Sequence, residues 1–324
     1  MDLRPSLVTQ TDPALIPRDH DGPAVVAIGG GAGLAQTLRA VQDYAGSITA
    51  VVSVADDGGS SGRLIQGLDI PPPGDLRKAL LALAPQPSLM GELFSHRFGA
   101  ADVAGHSLGN LLLAALGELT DDFAAALQIA GHLLGINGRV LPASKQRLLL
   151  LASIDGQLVS GEVCISETAG TVETLKVGPG EARAYEAVTD AIREADQIVL
   201  SPGSLYTSLL AALVVPGIAD AVNKASGSLA WVLNLITQRP ESLAMDGAAH
   251  LAALQQIGGI TRGGTIVSNS TAFTPPDGLE QVTISELDAL QVGWVVASGD
   301  LHDRETQWPQ HDPFRLGNLL SQLV

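Results

Sequence analysis

Cysteine is almost absent from this chain: Cys164 is the only one in 324 residues. A single thiol excludes an intrachain disulfide framework and any zinc site built on several cysteines. Cys164 lies in an apolar run with strand character, which predicts a buried packing residue. Aromatic residues are also scarce, at 3%, and this argues against the stacked platforms that hold single-stranded nucleic acid. Basic residues are outnumbered, with 18 Lys and Arg against 34 Asp and Glu and a formal net charge of −16. A field of that sign repels nucleic acid and anionic lipid surfaces, so neither is expected as a partner. A small anion is still admissible, because backbone N–H groups and a few arginines can reverse the potential inside a cleft. No apolar run approaches the roughly 18 residues that a bilayer span requires, and the first residues lack the apolar core of a signal peptide. Residues 1–22 are polar with several prolines and read as a disordered leader. Residues 23–324 read as a single domain, and the expected compartment is the cytoplasm.

Hydrophobic residues make up 46% of the chain, enough for a large core. From residue 23 onward, apolar runs alternate with helical segments. Strands are predicted at 24–28, 48–54, 197–200, 229–235, 264–268 and 292–297. Helices are predicted at 34–43, 75–84, 181–195, 205–213, 217–225, 246–256 and 285–290. Near-continuous apolar strands separated by helices indicate a mostly parallel, doubly wound α/β sheet covered on both faces. The middle of the chain departs from this rhythm. Residues 86–138 read as helices, and 147–178 as antiparallel strands with a hairpin turn at Asp155-Gly156. Together they read as a helical and β-hairpin insertion over about 86–178. A terminal helix is expected with Asp312 as its N-cap and Pro313 in its first position. A homodimer suits a chain of this size, though no sequence feature selects one.

The richest stretch is Val25 to Leu34, an apolar run that ends in four glycines within five residues, Gly29, Gly30, Gly31 and Gly33. A strand, a bare loop and a helix N-terminus form an anion site, because free N–H groups and the positive end of the helix dipole face the ligand. The loop does not spell a dinucleotide fingerprint, since the third glycine of G-x-G-x-x-G is replaced by Leu34 or Gln36 in the two possible frames. A G-x-x-x-x-G-K-S/T loop is absent as well. A tight turn alone would need fewer glycines.

Four more polar stretches follow predicted strands. Asp56 and Asp57 end the second strand, where a carboxylate commonly takes a ribose hydroxyl; adjacent carboxylates are also candidate Mg²⁺ ligands. Gly58, Ser60, Ser61 and Arg63 follow as a hydroxyl-rich loop suited to closing over an oxyanion. Ser201, Gly203 and Ser204 precede a helix that opens with Tyr206 and Thr207. The stretches from Asn234 through Thr237 to Gln238 and from Ser268 to Ser270 complete the set. In open α/β sheets ligands bind beyond the carboxyl ends of the strands, so the shared position of these stretches is informative. Gly74, Asp75 and Arg77 open another helix, with Asp75 either a ligand contact or an N-cap. Gly105-His106-Ser107-Leu108-Gly109 matches G-x-S-x-G, the nucleophile elbow of α/β-hydrolases. That elbow requires a strand directly before the serine, and the preceding residues are short and rich in Gly and Ala. The favoured reading is a helix N-terminus capped by Ser107, with His106 and Asn110 as ligand contacts or buried hydrogen-bond partners.

With these motifs in order, the chain resembles the YvcK branch of the CofD-like family over about residues 24–324. The resemblance rests on Gly29 to Leu34, Val54 to Arg63, Pro72 to Arg77, Arg97-Phe98-Gly99 and Gly105 to Asn110. It continues through Gly138 to Ser144, Gly203 to Ser208, Val215 to Ile218 and His311-Asp312-Pro313. The resemblance implies a Rossmann-like three-layer α/β/α fold. It also implies a gluconeogenesis factor that binds UDP-sugars, notably UDP-N-acetylglucosamine, and supports cell shape and envelope synthesis on gluconeogenic carbon sources. Such a regulator requires no cofactor. The CofD branch instead transfers a phospholactyl-type group from a dinucleotide-like donor with Mg²⁺; on that reading Asp57 and Asp75 are the catalytic candidates, and Asp56 and Asp57 the metal candidates. The CofD branch opens its first loop with Ser-Gly-Gly, whereas this chain has Gly29-Gly30-Gly31. Glu241 and His250 match YvcK relatives, but Met245 stands where those relatives carry Tyr, and Met cannot donate the hydrogen bond of a Tyr.

Overall fold

A computed structural model describes residues 21–58, 70–100 and 102–324. The expected leader at 1–22 lies almost wholly outside the described residues, as do Ser60, Ser61 and Arg63.

The main sheet has seven strands: β1 (Ala24–Gly29), β2 (Ser47–Val52), β3 (Arg139–Pro142), β7 (Gln197–Leu200), β8 (Ser228–Val232), β9 (Thr265–Asn269) and β10 (Val295–Gly299). Their order is β10-β9-β8-β7-β1-β2-β3, and every neighbouring pair is parallel. Burial explains the composition. In β1, β2 and β7 every residue after the first in each strand is buried, as a sheet covered on both faces demands. The chain winds from β1 outward through β2 to β3, then returns to the other side of β1 and winds outward again through β7 to β10. The direction therefore reverses between β1 and β7. Val25 pairs with Gln197 and Ile28 with Leu200, so the two strands end level and open a crevice between their carboxyl ends.

The helices follow the sequence pattern closely. They are α1 (Gly31–Val41), α2 (Pro73–Leu83), α3 (Leu89–Ser95), α4 (Leu108–Thr120), α5 (Phe123–Leu134), α6 (Glu162–Glu167), α7 (Glu186–Glu194), α8 (Ala211–Leu213), α9 (Ile218–Lys224), α10 (Gly247–Gln256), α11 (Glu286–Gln291) and α12 (Pro313–Leu320). A π-helical segment, Leu205–Leu210, leads into α8. α12 begins as expected, with the Asp312 carboxylate accepting from the Arg315 N–H at 3.0 Å. α1 packs against α2 and α12, and α7 against α9. Trp231 of β8 and Trp294 beside β10 meet edge to face at 6.3 Å, both fully buried; such a pair adds about 1 kcal/mol beyond the area it buries. Among the described residues no single helix is long and apolar enough to cross a membrane.

A second, three-stranded antiparallel sheet, β5-β4-β6, is formed by β4 (Leu149–Ile154), β5 (Gln157–Ser160) and β6 (Val172–Gly178). Asp155 and Gly156 both have positive φ, 47° and 77°, the signature of a two-residue hairpin turn. One strand here was not expected and one expectation fails. Arg139–Pro142, between the stretches read as helices and as antiparallel strands, forms β3 at the edge of the main sheet, paired with β2. Four residues are too few to display a period, and the terminal proline is tolerated because the position is an edge. Cys164 is neither in a strand nor buried. It sits exposed on α6, a short helix whose inward position is taken by Ile165.

Candidate functional site

The glycine loop lies at the crevice between β1 and β7. Gly31 has φ +62°, a conformation that costs glycine nothing and turns β1 sharply into α1. Leu34 is buried beneath the loop and its N–H reaches the Gly30 carbonyl at 3.2 Å, which closes the first helical turn. Gly33 is required for a different reason. A Cβ there would stand 1.9 Å from the Pro202 carbonyl oxygen, so α1 packs directly on the backbone that follows β7. That facing loop is itself clamped. Ser201 donates its N–H to the Ile28 carbonyl at 2.9 Å. The Asn234 amide both accepts from the Gly203 N–H at 3.1 Å and donates to the Gly203 carbonyl at 2.8 Å.

Between these segments opens a cleft of about 210 Å³. Gly30, Gly31 and Gly33 form one wall, Gly203 and Ser204 another, and Asn234 and Gln238 the floor near β8. The loop before α12 closes the remaining side with Trp308, Gln310 and His311. The first turn of a helix leaves its N–H groups without intrahelical acceptors. At α1 the Gly31 N–H is taken by the Asp75 carboxylate at 2.6 Å, and that carboxylate is paired with the Lys78 ammonium at 2.9 Å. Ala32 and Gly33, next along this turn, line the cleft.

Polar atoms around the cleft have been stripped of water without gaining protein partners. Gln238 Oε1, His311 Nε2 and, behind the wall, Ser201 Oγ are buried and unpaired. Burial pushes the His311 imidazole down to about 4, so it is neutral at physiological pH. Concentrations of unsatisfied buried groups call for an explanation, and a binding site is one.

A second set of groups lies on the α2 and α6 side. Glu162, at the start of α6, is raised to about 7, chiefly by desolvation and then by the negative charges of Asp56, Asp57, Asp75 and Glu241. Asp57 accepts from the Val163 N–H at 3.0 Å and so caps the short α6, while Asp56 accepts from the Gly58 N–H at 2.8 Å. Among the described residues no three Asp, Glu, His or Cys side chains form a group that could hold a metal ion.

The family comparison fits this architecture. A family model described as "2-phospho-L-lactate transferase CofD" matches residues 25–291, from β1 to the end of α11. The chain belongs to the CofD family. It is similar to the gluconeogenesis factor of Bacillus subtilis (strain 168), with 39% identity over 315 residues, covering 93% of this chain and 98% of that protein. The gluconeogenesis factor of Halalkalibacterium halodurans is 42% identical over 238 residues, covering 73% of this chain and 74% of the relative. The crystal structure of a UPF0052 family member from Bacillus halodurans superposes with a TM-score of 0.88 at 35% identity, over 93% of this chain and 99% of that one. The three-layer α/β fold is thus shared with solved relatives.

In this CofD-family chain the sequence-predicted residues fall into separate groups. Gly29 ends β1, and Gly30, Gly31, Gly33, Gly203, Ser204, Asn234 and Gln238 meet at the cleft, with Asp75 joined to it through Gly31. Tyr206 and Thr207 are otherwise occupied: their N–H groups, at the start of the π-helical segment, both donate to Glu241, at 2.7 and 2.9 Å. Glu241 thereby supplies the anion that this terminus would otherwise seek. Burial raises its pKa while those two N–H groups oppose the rise. The Tyr206 hydroxyl donates weakly to the sulfur of Met245 at 3.8 Å. Thr237 is buried and exchanges hydrogen bonds with the Glu280 backbone, at 2.9 and 3.0 Å.

Arg77, Ser107 and Asn110 form a buried cluster away from the cleft lining. Gly74 is packed in the first turn of α2. Arg77 donates to Asn110 Oδ1 at 3.0 Å and to the Phe94 carbonyl at 3.4 Å. Desolvation and the nearby Arg97 lower its pKa, and Asp75 raises it. Ser107 is fully buried and caps α4 by accepting from the Asn110 N–H at 3.3 Å. It pairs with Arg97 in an isolated antiparallel bridge and follows no strand, so the nucleophile-elbow geometry is absent. His106 sits just before it in the same turn. Trp308 and Glu162 carry no motif in the sequence, whereas His311 stands in the His311-Asp312-Pro313 motif without a role assigned to it.

Proposed function

We propose that the protein is a nucleotide-sugar-binding regulator in which a diphosphate sits against the open first turn of α1. The observation that carries this reading is the cleft at the β1–β7 switch point, lined by the first turn of α1 and surrounded by buried unpaired polar atoms. Similarity to proteins named gluconeogenesis factors supports a role in gluconeogenic metabolism; cell shape and envelope synthesis, in the cytoplasm, are the outlet this reading proposes for it. UDP-N-acetylglucosamine is the first ligand to test. Calorimetry is expected to show one site per chain. No heat with this compound, alongside a clear signal from another nucleotide, overturns the nucleotide-sugar assignment.

A second reading, a CofD-type group transferase, is favoured by Glu162. A carboxylate raised to about 7 is poised to take the proton of an acceptor hydroxyl as its oxygen bonds to phosphorus and a nucleoside monophosphate leaves. Burial holds Glu162 in that range, and the charges of Asp56, Asp57, Asp75 and Glu241 add to it. Turnover of a nucleoside-diphosphate donor that Glu162→Gln abolishes while ligand binding persists establishes the transferase; binding without turnover leaves the regulator.

A further inference from the structure

We propose that Trp308 is the platform on which a planar ring of the ligand stacks, so that the cleft selects a nucleotide over a bare sugar phosphate. The inference rests on the cleft being the ligand site. The chain has three tryptophans. Trp231 and Trp294 are sealed in the core, whereas Trp308 is 59% exposed. Other large apolar side chains are exposed too, among them Leu89, Leu158 and Phe314. Among the described residues Trp308 is the one such side chain that lines the cleft, together with Gly30, Gly31 and Gly33.

Its loop is held in place. The Trp308 carbonyl accepts from the Thr306 hydroxyl at 3.0 Å, and the Gln310 carbonyl accepts from the Asp303 N–H at 2.9 Å. The Gln310 side chain accepts from Gln36 of α1 at 2.6 Å, and His311 bridges to His302. The ring is therefore tied to the same helix that presents the amides, and a ligand gripped by those amides meets an aromatic face whose loop is already ordered.

The side chains at this end are compatible with a base. Gln238 and Gln310 line the cleft, with Gln310 Oε1 already accepting from Gln36, which leaves its amide N–H groups to meet an acceptor on a base. An indole face stacks on any base. Stacking is also indifferent to the protein's strong negative charge.

The test titrates the full chain with UDP, inorganic pyrophosphate and glucose 1-phosphate, following tryptophan emission and heat, in wild type, Trp308→Phe and Trp308→Ala. Because Trp308 is exposed, neither variant disturbs the core. UDP should quench the red edge of the emission. Trp308→Ala should weaken UDP by about 5- to 150-fold, the range of one base–aromatic stack. Trp308→Phe should retain most of the affinity, and pyrophosphate should bind all three proteins alike. Unchanged UDP affinity in Trp308→Ala overturns the proposal. So does an equal loss for glucose 1-phosphate, which would make the ring a sugar platform, or a change in oligomeric state without a ligand effect, which would make it a docking residue. If neither UDP nor pyrophosphate binds wild type, the cleft reading itself fails; if pyrophosphate binds and UDP gains nothing from Trp308, only the stacking fails.

Discussion

Gly33→Ala probes the contact on which the cleft depends. The added Cβ would lie 1.9 Å from the Pro202 oxygen and 2.5 Å from its carbonyl carbon, against an ordinary contact of 3.4 Å or more. The two segments must therefore separate by about 1.5 Å, the difference between 3.4 and 1.9 Å. Neither yields easily. α1 is anchored by Leu34 and Leu38, both buried, and the Pro202 segment is tied to Ile28 and Asn234. Overpacking of this kind costs about 1–3 kcal/mol. Alanine returns at most about 1 kcal/mol through helix propensity, and less in a first turn. The net loss is about 1–2 kcal/mol, or roughly 1.5–3 °C in melting temperature at about 2.1 cal/mol/K of unfolding entropy per residue. Gly180→Ala is the control, because a Cβ there meets nothing within 4 Å. Thermal and urea melts of the two variants beside wild type make the measurement, with calorimetry on the same samples to follow the cleft. If Gly33→Ala melts with Gly180→Ala, the close approach of α1 to the Pro202 segment is not a constraint and the reasoning is refuted.

Two further substitutions test the neighbouring groups. Glu162 has a folded pKa raised from 4.5 to about 7, so it stabilises the fold most below pH 4.5, and that contribution is lost as pH rises toward 7. Glu162→Gln should therefore flatten the fall in melting temperature between those limits and exceed wild type above them; parallel curves would refute the raised pKa. Arg77→Ala removes the donors to Asn110 and the Phe94 carbonyl from a buried site and should destabilise the fold by about 2–3 kcal/mol. Urea denaturation measures this, and a loss of ligand affinity at unchanged stability would instead place Arg77 in the binding site.

What the sequence disclosed and what it hid divide along a physical line. β1, β2 and β7 were legible because burial on both faces writes itself as an unbroken apolar run. The Asp155-Gly156 turn was legible because both residues tolerate the positive φ that a two-residue hairpin demands, and the Asp312 cap because its carboxylate bonds the backbone of its own helix. β3 was hidden because an edge strand of four residues has no period, and Cys164 was misjudged because a one-sided short helix and a strand share the same apolar composition. Glu241 illustrates the harder case. It matched the family motif, but its work is to cap the segment at Tyr206, 35 positions earlier, and no local pattern encodes that. Glu162 and Trp308 owe their properties to carboxylates and glycines brought near by the sheet topology.

The electrostatics of the cleft follow from how its two helix termini are used. The terminus at Tyr206 is already neutralised by Glu241, so it attracts no second anion. The terminus at α1 meets Asp75, whose charge would repel a phosphate, but Lys78 at 2.9 Å cancels that charge. What remains at α1 is the field of its own amides, set within a chain of net charge −16. An anion reaching this cleft is therefore held by short-range N–H geometry and gains nothing from long-range attraction. Removing Lys78 would expose Asp75 and turn the same terminus against a phosphate, which makes a surface lysine outside the cleft lining a control on what the glycine loop can bind.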